Sequence, residues 1–133
     1  MNTTNEPSSK KRLAGWILSG LISAMLIGPS AISKFVEWEG KAEMFEHLGY
    51  TNDLIMKIGV VEIVLAILLM IPHTGFLAAI LLTGYLGGAT ATHVRVGDAF
   101  YFPIILGMVM WVAMGLRHPE IFKLAFRTRR TPL

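Results

Sequence analysis

The sequence predicts an all-α fold, a membrane-embedded four-helix bundle with an interfacial helix or loop between the first two spans. Three observations carry this. Hydrophobic residues make up 53% of the 133 residues and the mean hydropathy is +0.57, more apolar surface than a soluble domain of this length can bury. Only 16% of the residues are charged, and they gather at the two ends and in one stretch of the first half. Between them lie four apolar runs, 13–32, 54–71, 75–92 and 99–116, each near the roughly 20 residues that cross about 30 Å of hydrocarbon as a helix.

Residues 1–12 open with a polar stretch that cannot bury enough apolar surface to order itself, then reach Lys10, Lys11 and Arg12; they read as a disordered cytoplasmic tail. The run 13–32 reads as the first span. A basic start followed by an apolar run and Ala31-Ile32-Ser33 also suits a cleaved signal peptide. The run is longer than a signal core of roughly 7–15 residues, however, and Gly20, Ala24 and Gly28 at spacing four predict a small face for helix packing. In 33–53, Phe35, Trp38, Met44, Phe45 and Leu48 recur among Glu37, Glu39, Lys41, Glu43 and Glu46. This predicts an interfacial amphipathic helix ending near Gly49, with a solvated loop as the alternative because Gly40 interrupts the pattern.

The second span, 54–71, carries Lys57 near its start and Glu62 well inside, and stops at Pro72. Only residues 72–74 separate it from the third span, 75–92, so the two are antiparallel neighbours. A short polar connection, 93–98, leads to the fourth span, 99–116, and 117–133 form a basic cytoplasmic tail. Residues 13–116 constitute one membrane domain with no internal repeat.

The net charge of +3 does not indicate nucleic acid, because the basic residues flank apolar runs instead of forming a groove-reading module. Eight Lys and Arg lie beside the start of the first span and the end of the fourth, against Lys34, Lys41, Lys57 and Arg95 on the opposite side. Both termini are therefore expected in the cytoplasm, with the chain in a bacterial inner membrane. The absence of cysteine excludes disulfides, thiol chemistry and iron–sulfur ligation by this chain.

Glu62 is the leading site residue. Counted from Leu54 it lies roughly 12 Å below the outer boundary, where an unpaired carboxylate costs a few kcal/mol or more. Gly59 and Ala66 share its helical face and aim it into the bundle. The expected neighbour is the third span, whose Gly84 and Gly88 form a small face beside Thr83, Gly87, Thr90 and Ala91, with threonine hydroxyls as partners for Glu62. Lys34, His93 and Arg95 are expected where their spans emerge, above Glu62.

Glu62, His93, Lys34, Arg95 and Thr90 thus form the candidate ligand-binding set. The bland readings are a protonated Glu62 acting as packing glue, and Lys34, His93 and Arg95 snorkelling singly to headgroups. No metal site is expected, since His47, His73, His93 and His118 sit in loops or at span edges without ligand spacing. The methionines read as gap fillers, and Trp16, Tyr101 and Trp111 as belt or packing residues.

The stretch from Gly28 to Lys34, then Phe45-Glu46-His47-Leu48-Gly49, Gly59-Val60-Val61-Glu62-Ile63 and Gly87-Gly88-Ala89-Thr90-Ala91-Thr92-His93, resembles in order and spacing the DoxX-like membrane proteins, over about 13–116. The resemblance implies a four-helix fold. It also implies an association with quinone-linked oxidation, although no residue here supports thiosulfate oxidation. The leading functional expectation is an accessory redox component binding a quinone-like or amphiphilic molecule near Glu62, not a stand-alone enzyme. The alternatives are a small-solute or proton permease and a non-catalytic assembly factor. Expected partners are the bilayer, a second copy of the chain or an oxidoreductase.

Overall fold

The computed structural model describes residues 8–126, all helical apart from short connections. The first helix, α1 (Ser9–Met25), starts earlier than its apolar run, because the Ser8 side chain accepts from the Lys11 amide and caps it. It continues through a π-helical segment, Leu26–Ile32, that contains Pro29, and one further turn, α2 (Ser33–Phe35). Proline lacks the amide needed for regular α-helical winding, and a π segment is a common way to absorb such a defect. Next come α3 (Lys41–His47), α4 (Asn52–Met70), α5 (Gly75–Val96), α6 (Tyr101–Arg117) and a short α7 (Glu120–Ala125).

The four long helices pack in the cyclic order α1, α4, α5, α6 and back to α1. Chain direction alternates, so one end of the bundle holds Lys34, α3 and Asp98, and the other holds the start of α1, the α4–α5 turn and Arg117. The continuous core is built by Ile22 and Leu26 of the first helix, Leu65, Ala66 and Leu69 of α4, Ala78, Ala79, Leu82 and Leu86 of α5, and Leu106, Met110, Ala113 and Met114 of α6. A second cluster, Phe45, Leu48 and Ile55, seats α3 on the start of α4.

The outside of the bundle is apolar. Leu13, Ile17 and Leu21 on α1, Val60, Val64 and Ile67 on α4, Leu77 and Ile80 on α5, and Ile105, Met108 and Val112 on α6 are all exposed. Ser19, Ser23, Lys34, Lys41, Glu62 and Arg117 are buried instead. Polar groups inside and aliphatic groups outside suit a lipid surround, where burying apolar side chains brings no gain over exposing them. The stretches Ser9–Phe35 and Gly75–Val96 are long and apolar enough to cross a membrane.

Three packing expectations are corrected. The buried face of α1 is Gly15, Ser19, Ile22 and Ser23, whereas nothing packs near Gly28. The small face of α5 does not meet α4: a Cβ added at Gly84, Gly87 or Gly88 would have no atom within 4 Å. The Gly59 side of α4 receives the end of the first helix, where an added Cβ would lie 2.8 Å from the Phe35 ring and 3.4 Å from the Lys34 Cβ. The expected α3 is present, and Gly49 follows it in the left-handed region at φ 79°.

Candidate functional site: a buried ion pair at the foot of a cavity

The π-helical turn and Gly59 together set the geometry. The turn carries Ser30 and Lys34 onto α4, and Gly59 leaves the space through which the Lys34 chain passes. Lys34 Nζ then donates to Glu62 Oε2 at 2.7 Å, to the Ser30 carbonyl at 2.8 Å and to Ser30 Oγ at 3.1 Å. Glu62 is 1% exposed and Lys34 8%, so the charges are withdrawn from solvent as a hydrogen-bonded pair. Such a pair survives because each partner lowers the desolvation cost of the other, and removing one leaves an uncompensated buried charge.

Above the pair lies a cavity of about 620 Å³, large enough for a small amphiphile. Its wall is apolar on the α3 and α4 sides, with Met44, Phe45, Leu48, Ile55 and Ile58. The open faces of Gly84 and Gly88 widen it along α5. Its polar lining is Ser30, Ser33, Lys34, Tyr50, Tyr85, Thr92, His93 and Asp98. Glu62 is not part of the lining: it stands behind Lys34, whose ammonium it holds.

Two clasps hold α3 over this end of the bundle. Arg95 Nη2 donates to the Leu48 carbonyl at 2.6 Å, and His47 Nε2 lies 3.2 Å from the Asp98 carboxylate. His93 Nδ1 is 3.9 Å from Asp98 Oδ2. Among the described residues, no group of three or more metal-ligating side chains is placed to hold a metal ion.

The five candidate residues therefore separate. Lys34 and His93 line the cavity, Glu62 anchors Lys34 from behind, and Arg95 fastens the loop after α3. Thr90 lies elsewhere, in a groove between α5 and α6 with Trp111 and Phe122. The expected threonine partners for Glu62 do not form. Thr83, Thr90 and Thr92 each donate to the carbonyl four residues back on α5, the usual choice for a threonine inside a helix.

The profile of the DoxX-like family covers residues 17–113, well over half of the chain. The chain belongs to the DoxX-like family. With the apolar exterior, this makes it a membrane protein, and the matched region contains the whole cavity lining together with Glu62. No curated protein and no solved structure matches this DoxX-like chain.

Sequence reasoning missed Tyr85, Tyr50, Ser30 and Asp98. Pro29 inside an apolar run was the available signal for an irregular turn that could turn Ser30 inward. Tyr85, a phenol in mid-span flanked by glycines, was the signal for a polar wall.

Proposed function

We propose that this DoxX-like protein binds a quinone-like amphiphile in the cavity above the Lys34–Glu62 pair, as an accessory component of a membrane redox system. The observation that carries the reading is the charged pair at the foot of a 620 Å³ cavity whose sides are aromatic and aliphatic. A structural ion pair alone would be expected in packed surroundings, whereas here the neighbouring wall is opened by glycines. An isoprenoid-bearing ring matches such a site: the ring occupies the polar foot and the chain leaves along the apolar wall. Glu62 then acts by positioning Lys34 and not by touching the ligand.

In this reading the cavity end faces away from the cytoplasm and both termini lie in it, with four spans crossing a bacterial inner membrane. At the cavity end Lys34 and Lys41 are buried, leaving Lys57 and Arg95 to face solvent or headgroups, while Lys10, Lys11, Arg12 and Lys123 are exposed at the opposite end.

The test is to purify the protein in mild detergent and identify lipid-soluble molecules retained by it, using mass spectrometry. The parent should carry a ring-bearing amphiphile, and Gly88→Leu, whose added Cβ meets no atom within 4 Å on the cavity wall, should not. Equal retention by both proteins would reject the cavity as the binding site.

A further inference from the structure

One wall of the cavity is not built by the four long helices. Met44, Phe45 and Leu48 line it from α3, facing Ala89, Thr92, His93 and Asp98 at the end of α5 and in the loop that follows. α3 is seven residues long and sits on the start of α4 through a small apolar cluster, Phe45, Leu48 and Ile55, separate from the continuous core of the bundle. The chain enters α3 at Gly40 and leaves it at Gly49, both in the left-handed region, at φ 85° and 79°. Residues 35–40 ahead of it are exposed.

Polar contacts run across the mouth of the cavity from the α3 side to the α5 side. Arg95 Nη2 donates to the Leu48 carbonyl at 2.6 Å, His47 Nε2 lies 3.2 Å from each Asp98 carboxylate oxygen, and the Tyr50 hydroxyl lies 2.6 Å from Thr92 Oγ1. Val96 adds one apolar contact to the α3 cluster. The His47 and Asp98 side chains are 53% and 41% exposed, and a contact so open to water adds little stability. A short element between two glycines, seated on few apolar side chains and held by water-accessible bonds, opens at a fraction of the cost of unfolding the bundle.

We infer that α3 is a lid that swings away from α5 about Gly40 and Gly49, and that the His47–Asp98 and Arg95–Leu48 contacts are the latch holding it across the mouth of the cavity. The inference rests on the cavity reading above and adds how the cavity is reached. Opening leaves the foot of the cavity intact, because Lys34 is held by Ser30 and Glu62 and no residue of the continuous core belongs to α3. Exchange of ligand with the water at this end of the bundle is then set by how often the latch parts.

The chain contains no cysteine, so one introduced thiol reports on the cavity alone. Gly88→Cys places it on the cavity wall, and Gly87→Cys places it one residue away, in the apolar groove between α5 and α6. The full chain in lipid nanodiscs is treated with a cationic, water-soluble methanethiosulfonate, which joins a thiolate as a mixed disulfide and releases methanesulfinate. Intact-mass spectrometry follows the rate. A thiol surrounded by hydrocarbon stays protonated and inert, so Gly87→Cys should remain unlabelled in every background, showing that the bundle is whole. Adding His47→Asp, which sets two carboxylates against each other across the mouth, should speed labelling of Gly88→Cys about tenfold. Adding Asp98→His as well restores an acid–histidine pair and should return the rate to its starting value. Equal rates in the three backgrounds, or a fast rate that the exchange does not reverse, would overturn the lid. Gly88→Cys as unreactive as Gly87→Cys throughout would overturn it too, by showing that no water-borne molecule reaches the cavity past α3. In each case the cavity reading stands or falls separately, by the retained amphiphile.

Discussion

The two ends of the bundle each bury a cation, and they do so by different means. At the cavity end, Lys34 meets a carboxylate on the adjacent helix and the space beside the pair is left open. At the opposite end, Arg117 is 3% exposed and pairs with no carboxylate among the described residues. Its guanidinium lies 3.7 Å from the centre of the Trp16 ring, and Nη1 donates to Ser19 Oγ at 3.0 Å and to the Leu69 carbonyl at 2.9 Å. Leu69 belongs to the last turn of α4, where unpaired carbonyls and the negative end of the helix dipole favour a cation.

Packing around Arg117 is close. A Cβ added at Gly15 would lie 2.8 Å from the Ala113 carbonyl oxygen, and one at Gly75 would lie 2.8 Å from Arg117 Nη2. The Arg117 end is thus a filled joint tying α1, α4 and α6 together. The Lys34 end has a charge pair of comparable burial with room left beside it, and that contrast supports the proposal of a binding site there. Burial of a charge does not by itself separate a structural role from a functional one.

Mutations at the two ends should differ in their effects, and the largest is expected at the ion pair. Lys34→Met should destabilise the protein by about 3–5 kcal/mol, because it strands the Glu62 carboxylate. Adding Glu62→Leu should restore most of that loss. Unfolding in detergent measures both, and a double variant no more stable than Lys34→Met would contradict the pairing. Glu62→Gln should be milder, since Lys34 keeps its two Ser30 contacts, yet retained ligand should fall.

Leu82→Ala should cost about 2–5 kcal/mol, because Leu82 is fully buried in the core shared by the helices. Arg117→Lys should cost roughly 1–2 kcal/mol: lysine keeps the charge but loses the planar fork and the stacking on Trp16. No change in ligand retention is expected for either variant, and a loss caused by Arg117→Lys would link the two ends. The smallest effect on stability belongs to Gly88→Leu, whose new side chain enters open space. A melting temperature well below that of the parent would mean that α5 needs its glycines for packing after all.

The helical class, the family, α3 and the inward direction of Glu62 were legible in the sequence because each is carried by local or linear information. Apolar run length reports a lipid-facing helix, and an acid in such a run reports a polar interior. The partner of Glu62 was not legible. Glycine spacing on α4 and α5 suggested that these neighbours in sequence met through their small faces, but the small face of α5 lines a cavity and Gly59 admits Phe35 and Lys34 from the first helix. Arg117 looked like a flanking charge, since nothing in its sequence position distinguishes a cation facing headgroups from one folded over Trp16.

What the sequence alone determined was thus which segments are helices and which side chains are too polar to face lipid. Only the tertiary structure decided which of those side chains meet, because helix rotation and the path taken after the π-helical turn at Pro29 depend on residues far apart in the chain. In a bundle whose exterior is as apolar as its interior, hydrophobic patterning gives little information about rotation. The orientation of each helix is set instead by a few close approaches and by the demand that buried polar groups find partners.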